Sequence, residues 1–308
     1  MPHIIELEDR GLLRVSGADR VAFLQGLISN DVEKVTENHA VYACFLTPQG
    51  KFLHDMIIYD GPDRESLWLD VDRERLPDLM RRLRMFKLRS DVDLTDLSED
   101  YDSYAVIGQG ASDLFELGDQ PGDGRTWDGG MVAIDPRLPA MGVRLILPAG
   151  TGFASLARID ADDADMDAYE LHRIRHCIPK AGPDLQVERT ILLEANIDRL
   201  NGIDWRKGCY MGQELTARTH YRGLIKRRFY PVSTDEPIAT EVIDIVNEKG
   251  RTIGELLSFS GNDAIARLKI DAAESGETLT VDGTPLHIGK PPLTPEKAGA
   301  AEDTAVQE

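Results

Sequence analysis

The stretch VYACFLTPQGKFLHDMIIY, residues 41–59, limits the fold more than any other part of the chain. Two apolar runs flank TPQG, where Pro48 suits the second position of a type I turn and Gly50 the fourth. Such runs on either side of a short turn predict an antiparallel hairpin. LLRV before it and SLWLDVD after it read as further strands. In SGADRVAFLQGLIS, Ser16 stands three residues ahead of Asp19, a variant of the capping box, and Val21, Leu24, Leu27 and Ile28 follow at helical spacing. This predicts an amphipathic helix ending near Ser29 and Asn30. RLPDLMRRLRMFKL predicts another, with Leu76, Leu79, Met80, Leu83 and Phe86 on its core face and arginines opposite.

From about residue 91 to 148, apolar runs such as YAVIG, MVAID and VRLIL alternate with Gly, Pro and Asp, the pattern of strands joined by loops. Residues 155–175 read as helical. Strands and helices mix without regular βαβ alternation, so the fold class is α+β. Beyond Arg228 the β-rich runs FYPVS, EVIDIVNEKGRTIGELLSF, AIARLKI and ETLTVDGTPLHI are punctuated by turns at Lys249-Gly250 and Asp282-Gly283. The chain is therefore expected to divide into an α+β region over 1–225, a small β-domain over 226–290 and a tail over 291–308. That tail is rich in Pro, Ala and acids and is expected to be disordered.

A chain of 308 residues is long enough to build these parts without covalent staples. Its three cysteines, Cys44, Cys177 and Cys209, are far apart and form no CxxC pair, which argues against a disulfide framework or a local zinc knuckle. The opening MPHIIELEDRGLL lacks the basic start and apolar core of a leader, and no apolar run reaches membrane-spanning length. These features predict a cytoplasmic protein that neither enters a membrane nor, at a net charge of −19, coats DNA or RNA. Two basic clusters stand out locally: Arg73, Arg75, Arg81, Arg82, Arg84, Lys87 and Arg89, and then Arg218, Arg222, Lys226, Arg227 and Arg228. Each is either a solvated face balancing acids elsewhere or a site for a small polyanion or an acidic partner.

Residues 207–214 read KGCYMGQE. Arg206 and Lys207 precede Cys209, Gly208 permits a sharp turn, and QELTART reads as a helix start. Cations and a helix N-terminus both stabilise a thiolate, which would make Cys209 a nucleophile or a metal ligand. The alternative is an inert buried thiol packed beside Tyr210 and Met211. A thiol paired with His176 or His220 is a third arrangement.

The octapeptide Lys207-Gly208-Cys209-Tyr210-Met211-Gly212-Gln213-Glu214 resembles the signature of YgfZ-type folate-binding proteins. That family includes the mitochondrial iron–sulfur assembly factor and is related to the aminomethyltransferase, or T-protein, of the glycine cleavage system. VSGADRVAFLQGLISNDV, LTPQGKFLHD, LEANIDRLNGIDWRKG, ELTARTHYRGLIKRRF and the EKGRTIGELLSF segment resemble family stretches in the same order. The resemblance implies a T-protein-like ring: an N-terminal α+β folate-binding body of two sub-parts and a small C-terminal β-barrel, around a tetrahydrofolate pocket. It implies Cys209 and Asp55 as the reactive groups. It places Gln25, Asn30, Asp31, Asn196, Lys207, Tyr210, Gln213 and Glu214 at the cofactor, with Gln213 and Glu214 also bracing the loop that presents the thiol, and no resident metal.

The implied function is that of a tetrahydrofolate-binding accessory protein for assembly or repair of [4Fe-4S] clusters. Its partners would be iron–sulfur assembly proteins or [4Fe-4S] clients, with a cluster held transiently. The alternative is a tetrahydrofolate-dependent aminomethyl or one-carbon transferase relying on Asp55. Two departures bear on the choice. T-proteins carry a Gly-Gly turn followed by two adjacent aspartates, where this chain has Gly50-Lys51 and His54-Asp55. They also tend to carry a pterin-contacting Glu where Arg175 stands, and a glycine where Cys177 stands. Swapping that Glu for Arg reverses the hydrogen-bonding polarity offered to an amino-pyrimidinone edge, so either another acid such as Asp31 or Glu170 substitutes, or folate binds differently or weakly, or the chain is a scaffold with a vestigial pocket. His54 is either a general base or a half-exposed polar residue at the end of a hairpin.

Overall fold

A computed structural model of the chain describes residues 1–223, 225–239 and 242–292, and most of the tail expected to be disordered lies outside them. Its strands form three sheets. The five-stranded sheet has the spatial order Val41–Leu46, Phe52–Asp60, Ser66–Asp72, Arg10–Ser16 and Asp93–Asp96. The six-stranded sheet runs Asp162–Asp163, His3–Glu6, Tyr101–Ile107, Val143–Pro148, Gly130–Ile134 and Gly124–Trp127. The seven-stranded sheet begins at Thr284–Pro285, continues through Leu279–Val281, Asp244–Asn247, Thr252–Ser260, Asp263–Lys269 and Arg227–Ser233, and ends at His287–Ile288. Only Leu286 separates its two edge strands in the chain, so this sheet curls into a nearly closed barrel. The fold is α+β, as the irregular mixture of elements predicts.

The TPQG hairpin forms as expected, with the Gly50 amide donating to the Thr47 carbonyl at 2.8 Å. The first helix differs from expectation. Helix α1 spans only Arg20–Gln25, and no side chain caps it. Ser16 is held in the strand Arg10–Ser16, and the Asp19 carboxylate accepts from the Asp91 amide at 2.8 Å, so the capping box does not form. The helix stops early because the chain turns to meet the hairpin: the Ser29 amide donates to the Cys44 carbonyl at 2.8 Å. Helix α2 spans Leu76–Lys87, as read from its periodicity. The region 155–175 holds two helices, α3 (Gly152–Leu156) and α4 (Met166–Arg175), separated by the edge strand Asp162–Asp163. Asp165 caps α4 by accepting from the Ala168 amide. Helices α5 (Gln213–Tyr221) and α6 (Ile270–Ala273) complete the set.

The hairpin strands are apolar throughout because both faces of their sheet are covered. One face, including Ala43, Phe45, Leu13 and Leu69, packs on Leu24 of α1, on Ile28 just beyond it, and on Leu76, Leu79 and Leu83 of α2. The other, including Tyr42, Cys44, Ile57 and Tyr59, packs on Ile5, Ala105, Met131 and Ile146 of the six-stranded sheet.

A polar cluster lies between these two sheets. Asp70 accepts from Arg10 Nε and from Arg144 Nη2, each at 2.6 Å. Arg144 also donates to the Tyr169 hydroxyl at 2.9 Å, and Arg137 reaches that hydroxyl while pairing with Asp135. Burial alone would push the Asp70 carboxyl up, but the two guanidinium charges outweigh it and hold the group below its ordinary range. Asp70→Asn would leave two largely buried cations without their counter-charge. It is expected to cost about 3–5 kcal/mol in denaturant unfolding, where an exposed Asp→Asn change would cost almost nothing.

Candidate functional site: a fixed loop presenting one thiol

The KGCYMGQE loop is tied down on both sides of its cysteine. Asp204 accepts from the amides of Arg206 (2.6 Å) and Lys207 (2.8 Å), shaping the turn, and pairs with Lys34 at 2.5 Å. The Lys207 ammonium donates to the Ile28 and Asn30 carbonyls at 2.7 and 2.6 Å, and sits 5.1 Å from the centre of the Tyr210 ring. Burial pushes this lysine down to about 8. After the cysteine, the Tyr210 amide donates to Gln213 Oε1 at 3.2 Å and the Met211 amide to the Gly26 carbonyl at 3.0 Å. Cys209 itself is an exposed free thiol, so the reading as a buried inert cysteine does not hold. Cys44 and Cys177 are the buried ones, and burial pushes both their thiols up.

The two glycines of the motif differ in what the fold asks of them. A Cβ on Gly208 would meet nothing within 4 Å, so the expected need for a glycine before the cysteine is not borne out. Gly212 is the constrained one. It adopts φ +82°, and a Cβ there would strike the Thr47 carbonyl and lie 3.0 Å from Gly50 Cα. Gly50, at φ +75°, is constrained in return, since a Cβ there would lie 2.7 Å from the Gly212 carbonyl oxygen. The hairpin turn and the start of α5 thus touch through two glycines. Gly212→Ala is expected to destabilise the protein by about 2–4 kcal/mol, through left-handed strain plus the clash, and Gly208→Ala by less than about 0.5 kcal/mol. Thermal unfolding of the two variants checks this.

Gln25, Asn30 and Asp31 come together beside this loop and bond chiefly to one another and to backbone. Gln25 donates to Asp31 Oδ1 at 2.7 Å and accepts from the Val32 amide at 2.9 Å, while Asp31 caps the turn at Glu33. Asn30 donates to the Tyr42 and Asn201 carbonyls, each at 2.8 Å. Asn196 lies elsewhere. It is fully buried at φ +61°, donates to the Phe229 carbonyl at 2.9 Å and accepts from Arg228 at 3.1 Å, joining the body to the barrel. Asp55 is 7% exposed and accepts from the Tyr42 hydroxyl at 3.1 Å. Glu214 is exposed in the first turn of α5. His220 stacks on Trp205, and His176 lies against His172.

His54 is buried and 3.0 Å from Asp78. Burial and the Arg75 charge push it down to about 4 against the upward pull of Asp78, so it is neutral at ordinary pH. The folded imidazole therefore releases its proton where the unfolded one still binds it, and stability is lost as pH falls from 6.5 toward about 4. Lowering the pH from about 7 to about 5 is expected to cost about 2 kcal/mol through this group. His54→Gln should shrink the measured pH-dependent loss by that share.

A cleft of about 250 Å³ opens next to Asn30, lined also by Lys34, His39, Tyr42, Pro136 and Asn201. This is below the roughly 300–1,000 Å³ of ordinary small-molecule sites. No carboxylate lines it, although a pterin edge calls for one. Asp55 bonds Tyr42, Glu170 is held by Arg173 and Lys180, and Arg175 reaches out to Asp263 of the barrel at 2.9 Å. The cleft beside Asn30 does not fit tetrahydrofolate; a larger one of about 570 Å³ lies beside Met211, lined also by Phe45, Arg82, Phe86 and Glu188. The sequence reading also missed Asp204 and Trp205. An Asp three residues ahead of the motif's lysine is the signal that marks the first.

The family model for the GCVT N-terminal domain matches residues 3–119, and that for the CAF17 C-terminal beta-barrel domain matches residues 226–296. The chain is 33% identical to the mitochondrial iron-sulfur cluster assembly factor IBA57 homolog of Coccidioides immitis, over 87% of this chain and 71% of that protein. It is 38% identical to the Mycosarcoma maydis homolog over 75% of this chain, and spans 57% of that relative's length. The Dictyostelium discoideum homolog is 32% identical over 74% of this chain and 62% of its own. Among solved structures, the glycine cleavage system aminomethyltransferase T of Bartonella henselae shares the fold, with a TM-score of 0.78 and 16% identity over 94% of this chain and 86% of that one. The expected cytoplasmic location is overturned, because these assembly-factor relatives are named as mitochondrial. Free cysteines suit any reducing compartment, and residues 3–6 are a strand of the fold, so neither feature carries an address.

Proposed function

Because the chain belongs to the family of iron–sulfur cluster assembly factor IBA57 homologs, we propose that it is an accessory protein for assembly or repair of [4Fe-4S] clusters in client proteins. In this reading Cys209 is the thiol that meets the cluster or the protein carrying it. The observation that supports it is the exposed sulfur on a loop clamped by Asp204, Lys207 and Gly212, in a chain whose other two cysteines are buried. Preorganised groups on rigid elements serve binding and exchange better than mobile ones. Clusters are held mainly by several Cys thiolates. Among the described residues no group of three or more His, Cys, Asp or Glu side chains could hold a metal ion. One exposed thiol per chain makes the cluster a cargo, with its remaining ligands coming from an assembly protein or a client.

Tetrahydrofolate has no part in this proposal, since the cleft beside Asn30 does not fit it. The transferase alternative relied on Asp55, which lies buried against Tyr42, and no observation favours it. The test is [4Fe-4S] dehydratase activity in cells deleted for the gene and complemented with wild type or Cys209→Ser. Rescue by wild type alone is the expected result. Equal rescue by Cys209→Ser would remove the thiol from the mechanism, and undiminished activity in the deletion strain would remove the assignment itself.

A further inference from the structure

The two basic clusters of the sequence differ in how they are paired. In the first, Arg73 pairs with Glu99, Arg81 and Arg82 share Asp78, and Lys87 pairs with Asp93. Arg84 and Arg89 are exposed and form no ion pair among the described residues, so that surface is partly neutralised from within. In the second, Arg228 is buried and pairs with Asp198, whereas Arg218, Arg222 and Lys226 are exposed, as is Arg206 ahead of the thiol, and none of these four forms an ion pair among the described residues. Their arrangement follows from one stacking contact. The Trp205 ring lies 3.9 Å from the His220 ring, nearly parallel at 18°, which pins the last turn of α5 against the start of the Cys209 loop. Tyr221, which is 72% exposed, lies edge-on to Trp205 with ring centres 6.4 Å apart; Arg218 and Arg222 flank it at the end of α5, and Arg206 follows Trp205, three residues before the thiol. The exposed carboxylate of Glu214 is the one acid α5 itself contributes.

A chain of net charge −19 has ample acid with which to neutralise such a patch. Leaving four cations unpaired around exposed aromatic rings is the composition of an interface, where Arg, Trp and Tyr are enriched. We propose that this face docks an acidic surface of the protein that meets Cys209, its carboxylates bonding Arg206, Arg218 and Arg222 while the Trp205–His220–Tyr221 cluster supplies the apolar anchor. The inference deepens the function proposed above and rests on it. Locally the face attracts carboxylates that the molecule as a whole repels, within a screening length of about 10 Å at 0.1 M salt. An acidic partner is thus turned so that its own cysteines face the thiol.

The test uses the full chain and a 20-residue polyglutamate peptide as probe, with polylysine as its opposite. Labelling of Cys209 by a neutral disulfide reagent is followed in each. Polyglutamate is expected to slow labelling about fivefold or more at low salt, with the protection lost near 0.5 M salt and in Arg218→Glu/Arg222→Glu. Polylysine should protect little despite the net charge. Protection by polylysine alone, or polyglutamate protection unchanged in the charge-reversed variant, would overturn the proposal. In the dehydratase complementation assay, Arg218→Glu/Arg222→Glu should lose rescue and Arg218→Lys/Arg222→Lys should keep it. Full rescue by the charge-reversed variant alongside failure of Cys209→Ser would sink the docking face and leave the thiol's role standing. Failure of both the Lys and the Glu variants, with intact thermal unfolding, would likewise count against a charge-based face.

Discussion

Burying Asp70 between Arg10 and Arg144 strips three charges of most of their water, at a cost of several kcal/mol per ion that only close pairing offsets. The pairing works only if the strands Ser66–Asp72 and Arg10–Ser16 of one sheet stand opposite Val143–Pro148 of the other. Arg144 then passes the constraint to Tyr169 on α4. Helix α4 carries it to the barrel through Arg173, which donates to Asp184 and Ser258, and through Arg175, which pairs with Asp263. A single polar thread thus sets how the three sheets sit relative to one another, in a way that non-directional apolar packing would not fix.

On that frame the Cys209 loop is held by short-range chemistry of a different kind. A half-buried ammonium is costly unless its protons find acceptors, and the carbonyls where the chain leaves α1 supply two. Both carbonyls lie past the end of α1 at Gln25, and no backbone amide of the described residues claims them.

Local signals in the sequence were read correctly where local physics decides. Pro48 and Gly50 dictate the turn, and the period of Leu76, Leu79 and Leu83 dictates α2. The readings went astray where a distant residue intervenes. The Cys44 carbonyl claims the Ser29 amide and shortens α1. Gly208 drew attention because it adjoins the cysteine, whereas the glycine the fold needs is Gly212, pressed on a turn some 160 residues earlier in the chain. The motif marked Lys207 and Cys209, which share the loop. It could not tell that Asn196 is spent on the barrel or that Asp55 lies under Tyr42, since burial by a remote element leaves no trace in a short motif.

Net charge is similarly blind to placement. At −19 the composition argues only against polyanionic partners in bulk. The structure adds which cations are already satisfied. Asp78 alone accepts from Arg81, Arg82 and His54, so the α2 cluster, the more basic of the two in sequence, presents less free charge than its count of cations suggests. Asp204, two residues before Arg206, is committed to Lys34 and to the amides that shape the loop. The same carboxylate that fixes the thiol's loop is thereby kept from quenching the cations around it.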